Sequence, residues 1–235
     1  MHLSAASTAP FVGVFLSFVR TFVPVWEVYG ARKERRLGEL NPMPYAAMIL
    51  NHTGWIVYAV LRNDWFIFVA DAPGLLCGVW ITFSLLPLAS LKMQDRLHGL
   101  VLLAATLWCL LAMVTMIISS KSAHATILLW GWTVSVTQVV LFASPLSTLY
   151  QAVKQRSSAS FHLGLSIMSF ISSLMWTIYG LTSKNLFLLV PNLLGVLLSI
   201  AALGVCVFLP RPTPDQTAAA QQQDRIRAVE LAVEM

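Results

Sequence analysis

Long apolar runs separated by short polar segments dominate the pattern along this chain. Each run approaches the ~20 residues that a helix needs to cross the hydrocarbon core of a bilayer. The runs are continuous rather than alternating, which predicts helices and sets membrane β-strands aside. We therefore predict seven transmembrane helices (spans 1 to 7) at 11–29, 44–61, 66–88, 97–119, 126–149, 162–181 and 185–209.

Composition supports a polytopic, all-α membrane protein in a lipid bilayer. Apolar residues make up 57% of the chain and charged residues 11%, whereas a soluble domain carries about 25% charge. Cys77, Cys109 and Cys206 lie inside apolar runs, which predicts free thiols and offers neither a disulfide framework nor metal-binding spacing. The net charge is +5, but fourteen of the fifteen Lys and Arg residues lie in loops, so membrane topology explains it and nucleic acid is not an expected partner.

The loop charges also predict an orientation. With the N-terminus outside, the predicted cytosolic segments hold eleven Lys and Arg residues, and the opposite side holds only Arg62, Lys121 and Lys184. This asymmetry follows the positive-inside rule. We therefore expect residues 1–10 outside the cytoplasm and the C-terminus in the cytosol.

The chain contains an internal repeat. Trp55-x-x-Tyr58 and Asp71-x-x-Gly74 recur 121 residues later as Trp176-x-x-Tyr179 and Asn192-x-x-Gly195. An apolar repeat with polar residues at matched depths is typical of membrane transporters, whose substrate site lies at the repeat interface.

The repeat predicts the domain organisation. Three spans per copy would invert the second copy, but span 4 restores its orientation, so the two three-helix bundles are parallel in a 3+1+3 arrangement. The expected units are a first repeat, a linker helix with its loops, a second repeat and a solvated, mostly disordered tail. They cover 11–88, 89–125, 126–209 and 210–235.

The matched polar and aromatic residues predict a chamber suited to a sugar. Asn51 and Ser172 lie one turn before the two tryptophans and share their helix face. An indole ring stacks on the apolar C–H face of a pyranose, and amide or carboxylate groups pair with its hydroxyls. Membrane tryptophans are also common packing or interfacial residues, but polar groups inside a membrane are costly and tend to be functional.

Several motifs resemble the SWEET (MtN3/saliva) sugar transporters. The second repeat carries the stronger likeness, in Phe142-Ala-Ser-Pro-Leu-x-Thr148, Lys154-x-x-Ser157, Trp176-x-x-Tyr179-Gly180 and Pro191-Asn192-x-x-Gly195. The first repeat carries a weaker one, in Leu16-Ser17-x-x-x-Thr21-Phe22, Pro44-Tyr45 and Trp55-x-x-Tyr58. The resemblance covers about residues 11–209.

The resemblance implies bidirectional, facilitative sugar movement by alternating access, without a cofactor and often in homotrimers. Carried over by position, it implies a pocket and an outer gate, the latter at Tyr58 and Tyr179. The implied pocket residues are Trp55, Trp176, Asn192 and Asp71, with Asn51, Ser172, Val14 and Leu141 on its lower wall.

The resemblance also implies proline hinges, of which this chain keeps two. Pro44 and Pro145 match, whereas Phe18 and His162 stand where the other two prolines are expected. Proline removes a backbone hydrogen bond and lets a helix bend. Spans 1 and 6 are therefore expected to be stiffer unless Pro24 or Gly164 substitutes.

Asp71 replaces the asparagine that the family usually carries. An ionisable residue at this depth suggests a function, and Arg20 is a candidate partner, although Arg20 could pair with Glu27 instead. His52 is expected to be a packed, neutral histidine rather than part of a proton relay.

Two other classes compete with a sugar uniporter. Asp71 favours a proton-coupled PQ-loop transporter of an amino acid or small solute, but no Pro-Gln dipeptide marks the span ends. A seven-helix receptor is less favoured, because a retinal protein needs a lysine in mid-span 7 and Lys184 lies at its edge. The sequence shows no nucleophile–base pair, metal cluster or phosphate loop, so we predict neither catalytic nor metal-binding residues.

Overall fold

The computed structural model describes residues 5–38, 40–119, 122–159, 161 and 163–211. The predicted hinge position at His162 and the predicted tail from residue 212 onward lie outside these residues. The helices are α1 (Ala5–Glu34), α2 (Met43–Arg62), α3 (Trp65–Leu85), α4 (Leu91–Ser119), α5 (Ala123–Leu141), α6 (Ala143–Gln155), α7 (Leu163–Thr182) and α8 (Leu186–Phe208), with a 3-10 turn at Leu86–Leu88.

The prediction of seven spans is confirmed. Helices α5 and α6 form a single span that is interrupted at Phe142, so the eight α-helices make seven crossings. Within the described residues, six spans are long and apolar enough to cross a membrane. The remaining helix, α2, contains Asn51, His52 and Thr53 in succession, and these polar residues lower its hydropathy.

Turn geometry shows how far the repeat extends. A residue with positive φ lies in the turn after each second helix, Asn63 at 53° and Lys184 at 51°, and these residues are 121 apart. The next residues, Asp64 and Asn185, then cap α3 and α8 by accepting backbone N–H groups. A second pair, Arg35 and Arg156, has φ of 53° and 50° at the same offset. One register therefore relates the two repeats from the first helix to the third.

The two three-helix bundles are arranged in parallel. In the first, α3 packs against both α1 and α2, and in the second α8 packs against α7 and the α5–α6 span. The bundles meet along two seams, α1 with α7 and α2 with α5. Helix α4 lies outside, where Trp108 stacks on Trp130 of α5 with ring centroids 5.2 Å apart. The 3+1+3 architecture is thus confirmed.

Two helices start earlier than hydropathy indicated. Helix α1 begins at Ala5, inside the segment that we expected to precede the first span, and α4 begins at Leu91 rather than at residue 97. The first turns of α4 carry Lys92, Asp95 and Arg96. Hydropathy marks where a helix enters lipid, whereas the backbone hydrogen bonds of a helix continue into its polar end.

A candidate binding chamber between the repeats

A cavity of about 440 Å³ lies between the two bundles. Helices α1, α2, α3, α5, α7 and α8 contribute to its wall. Pockets for small molecules typically occupy about 300–1,000 Å³. The cavity is therefore large enough for a small solute at the interface of the repeats.

Seven of the eight predicted pocket residues line this cavity, and Val14 does not. The seven are Trp55, Trp176, Asn192, Asp71, Asn51, Ser172 and Leu141. Val14 packs instead against the apolar cluster around the two tryptophans. The repeat register pairs Leu141 with Arg20, and Arg20 does line the cavity. The repeat offset thus favours Arg20, six residues after Val14, as the counterpart of Leu141.

The two indole rings are held by reciprocal hydrogen bonds between the repeats. Trp176 donates from Nε1 to Ser17 Oγ at 3.2 Å, and Trp55 donates from Nε1 to Gln138 Oε1 at 3.3 Å. Ser17 and Gln138 are themselves 121 residues apart. The rings are only 4% (Trp55) and 7% (Trp176) exposed, so each presents a small part of its surface to the cavity.

Amide groups complete the polar lining near the tryptophans. Asn51 donates from Nδ2 to Gln138 Oε1 at 2.7 Å, so this oxygen accepts from both Asn51 and Trp55. Asn192 donates from Nδ2 to the carbonyl of Leu188 at 2.8 Å. Its side-chain oxygen has no hydrogen-bond partner among the described residues, which leaves an acceptor for a solute hydroxyl.

His52 is the direct partner of Asp71. His52 Nδ1 lies 2.7 Å from Asp71 Oδ1, and both side chains line the cavity. The His52 ring also packs on Gly74, where an added Cβ would lie 2.6 Å from the ring. His52 is therefore packed, as expected, but it also binds Asp71, which the sequence did not indicate. Among the described residues, neither Asp71 nor Glu27 forms an ion pair with Arg20.

Two tyrosines close one end of the chamber, which we call the closed end. Tyr58 donates to Asn185 Oδ1 at 2.8 Å, and Tyr179 donates to both carboxylate oxygens of Asp64 at 3.0 Å. The offset of 121 exchanges the two pairs, so each repeat supplies one tyrosine and one acceptor. From the tryptophans the cavity extends away from these tyrosines, toward Tyr45 on α2 and toward Leu165 on α7.

The predicted hinges differ in geometry. Pro145 follows the interruption at Phe142, and Pro44 lies in the first turn of α2. Helix α1 continues through both Phe18 and Pro24. The repeat register pairs Pro145 with Pro24, so Pro24 is a further hinge candidate on α1 beside the predicted position Phe18.

Sequence reasoning missed four residues that hold this arrangement together. Ser17 and Gln138 anchor the indoles, and Asp64 and Asn185 hold the tyrosines. A usable signal existed, because each pair is polar and separated by 121 residues. Applying the repeat offset to every polar residue would have found them.

Parallel three-helix bundles around a chamber that is closed at one end define a membrane transporter built from parallel repeats. The family model described as "Sugar efflux transporter for intercellular exchange" matches residues 7–88 and 128–213. The chain belongs to this family, which confirms the resemblance to SWEET transporters.

Plant relatives cover most of the chain. The bidirectional sugar transporter SWEET7b of Oryza sativa subsp. indica is 28% identical over 207 residues, covering 86% of this chain and 77% of the relative. Bidirectional sugar transporter SWEET12 of Oryza sativa subsp. japonica is 28% identical over 221 residues, with coverage of 90% and 72%. Bidirectional sugar transporter SWEET9 of Arabidopsis thaliana is 26% identical over 194 residues, with coverage of 80% and 71%.

A solved structure of a eukaryotic SWEET transporter has the same fold. Its TM-score is 0.76 at 19% identity, and the match covers 86% of this chain and 94% of the solved one. At this sequence identity, the match shows that the two proteins share a backbone fold.

Proposed function

We propose that this protein is a bidirectional, facilitative transporter of a mono- or disaccharide that works by alternating access around the chamber. The observation that carries the proposal is a chamber with an indole from each repeat in its wall and a closed end built from both repeats. The family match and the names of the plant relatives support the same substrate class.

The chamber offers the two kinds of contact that a sugar requires. The exposed parts of Trp55 and Trp176 provide apolar surface for ring C–H groups. Asn192 and the Asn51–Gln138 pair provide hydrogen-bonding groups for hydroxyls. Because hydroxyls give up water on entry, these polar groups must replace the lost hydrogen bonds.

Alternating access would begin with separation of the tyrosine contacts. Opening the closed end breaks the bonds Tyr58–Asn185 and Tyr179–Asp64, and both connect one bundle to the other. Bending of the α5–α6 span near Pro145 would then let the opposite end narrow. By the positive-inside rule we assign the closed end to the extracytoplasmic side and the chamber opening to the cytosol.

Helix α4 is where we place lateral contacts. Its exposed apolar side chains include Leu102, Met113, Met116 and Ile117. This surface suits lipid or α4 of another copy, as in the trimers that the family resemblance implies. The membrane is a plasma membrane or an internal one.

Uptake of radiolabelled glucose, fructose and sucrose into proteoliposomes tests the proposal. We expect wild-type protein to carry at least one of them down a gradient in either direction. Trp176→Ala should weaken sugar binding by about 1–3 kcal/mol because it removes the stacked ring and its anchor. Trp26→Ala, a change at a side chain that is 82% exposed on α1, is the matched control. Equal uptake by both variants would contradict the assignment of the chamber.

A proton-coupled transporter is the second candidate, and the His52–Asp71 pair favours it. The same proteoliposomes distinguish the two. An imposed pH gradient that drives a solute above its external concentration would show coupling, whereas a uniporter only equilibrates it.

A further inference from the structure

We propose that Arg20 provides the chamber with a subsite for a single carboxylate, so that the transporter carries acidic monosaccharides such as uronic acids as well as neutral sugars. This inference rests on the proposed sugar-transport function. It names a substrate class that the chamber's charges select.

Arg20 lies at mid-depth in the protein. It is fifteen residues from the start of α1 and fourteen from its end, or about 20 Å from each at 1.5 Å per residue. A cation at this depth is costly unless water or a counter-charge reaches it. Arg20 lines both the main chamber and a second cavity of about 350 Å³ beside α6, α7 and α8. Its exposed surface therefore faces the space through which a solute moves.

The guanidinium has no close counter-charge. No carboxylate among the described residues lies within 4.0 Å of it. Asp71 attracts Arg20 electrostatically, but its Oδ1 atom is held by His52 Nδ1 at 2.7 Å. No hydrogen bond to Arg20 occurs in the described part of the chain. The five donors of this side chain thus remain available to a ligand.

The fixed charge of Arg20 favours a monoanion. The one carboxylate among the residues that line the chamber, Asp71, is engaged by His52 at 2.7 Å and not by the guanidinium. The other ionisable side chains in the wall are Tyr45 and Cys77. One carboxylate neutralises this charge, whereas a phosphate dianion would leave one negative charge without a counter-charge at this depth.

The geometry of the groups also favours a carboxylate. A guanidinium presents parallel N–H donors that match the two oxygens of a carboxylate. The repeat-equivalent position holds Leu141, which is apolar and also lines the chamber. The subsite is therefore one-sided, and an acidic sugar would bind in one orientation with its carboxylate toward α1.

Transport of glucuronate and glucose by the same proteoliposomes tests the subsite. We expect wild-type protein to carry both and glucuronate to compete with glucose. In Arg20→Leu, which copies Leu141, the ratio of glucuronate to glucose uptake should fall about tenfold or more, the loss of one charge-assisted contact. Arg20→Lys should keep part of this ratio. Arg36→Leu, at a side chain that is 76% exposed, is the control and should keep the wild-type ratio.

The possible results of this experiment distinguish failure of the carboxylate subsite from failure of the proposed sugar transport. Wild-type protein that carries glucose, but neither carries nor is inhibited by glucuronate, would overturn the carboxylate subsite and leave the sugar transporter intact. An unchanged ratio in Arg20→Leu would also overturn it, as would glucose 6-phosphate uptake equal to that of glucuronate. Uptake of no sugar at all would overturn the proposed function itself, and the subsite with it.

Discussion

The two walls of the chamber share a backbone plan but differ in charge. The wall from the first repeat carries Arg20, His52 and Asp71. The equivalent positions in the second repeat hold neutral residues, Leu141, Ser173 and Asn192. His52 and Asp71 bind each other, whereas Asn192 binds the backbone of its own helix. At these three positions, every ionisable side chain belongs to the first repeat.

The hydrogen bonds by which each repeat holds the indole and the tyrosine of the other are, in contrast, symmetric. Each indole is anchored by the other repeat, and each tyrosine at the closed end binds an acceptor from the other repeat. Each of these contacts needs one residue from each copy. The comparison suggests that both repeats keep the hydrogen bonds that join the two bundles. Only the first repeat places charged side chains against the solute.

The largest expected effect comes from breaking the charged pair on the first wall. His52→Ser leaves Asp71 without its partner and should destabilise the protein by about 3 kcal/mol. Adding Asp71→Asn should recover most of this loss, because the wall then copies Ser173 and Asn192. Thermal unfolding of the purified variants measures both effects. A double variant as unstable as the single one would show that the pair does not account for the cost.

The closed end should respond unequally to loss of each tyrosine hydroxyl. Tyr179 donates to a carboxylate and Tyr58 to an amide, so Tyr179→Phe should cost about 1.5–3 kcal/mol and Tyr58→Phe about 0.5–1.5 kcal/mol. The closed end should therefore open more often in Tyr179→Phe.

Labelling of a cysteine at position 172 by an impermeant maleimide, added at the closed end, measures this opening. The three native cysteines are first replaced, and Ser172→Cys without a tyrosine change is the control. Equal labelling of the two tyrosine variants would argue against an asymmetric closed end.

Two equivalent glycines should also differ. A Cβ on Gly74 would lie 2.6 Å from the His52 ring, and one on Gly195 would lie 2.8 Å from Ser173 Oγ. A serine hydroxyl can rotate away, but the imidazole cannot move without disturbing its bond to Asp71. Gly74→Ala should therefore lower stability by about 1 kcal/mol and Gly195→Ala by less, as thermal unfolding would show. The reverse order would contradict this account of the His52 packing.

The smallest expected effect concerns the prolines of the first helix in each repeat. Pro145 follows an interrupted helix, whereas α1 is continuous through Pro24. Restoring about 1 kcal/mol of backbone hydrogen bonding in Pro145→Ala should slow transport about fivefold. Pro24→Ala should slow it less, and initial uptake rates compare them. Equal rates would mean that the protein bends elsewhere.

Hydropathy and the repeat predicted much of this molecule. The spans and the parallel bundles follow from apolar length and from an odd number of spans per copy. Trp55, Trp176 and Asn192 were found because they recur at one offset. In the first span the resemblance placed Val14 and Phe18, whereas the repeat offset of 121 pairs Leu141 with Arg20 and Pro145 with Pro24.

Contacts between side chains were harder to predict. The partner of Asp71 is His52, nineteen residues earlier on a different helix. Sequence spacing predicts which residues share one helix face, but the choice between His52 and Arg20 depends on how α1, α2 and α3 pack together. The same limit explains why Gln138 was missed as the acceptor for Trp55.

Counterflow in proteoliposomes tests most directly the central claim that a sugar binds between the repeats and is carried by alternating access. Vesicles loaded with unlabelled glucose, or with whichever sugar is transported, are diluted into a trace of the labelled sugar. We predict a transient accumulation of label above its equilibrium level in wild-type vesicles, because outgoing sugar returns the chamber to the other side. Trp176→Ala should reduce this overshoot, and Trp26→Ala should retain it. Uptake that rises to equilibrium without any overshoot would contradict the account, because that behaviour is expected of an open pore.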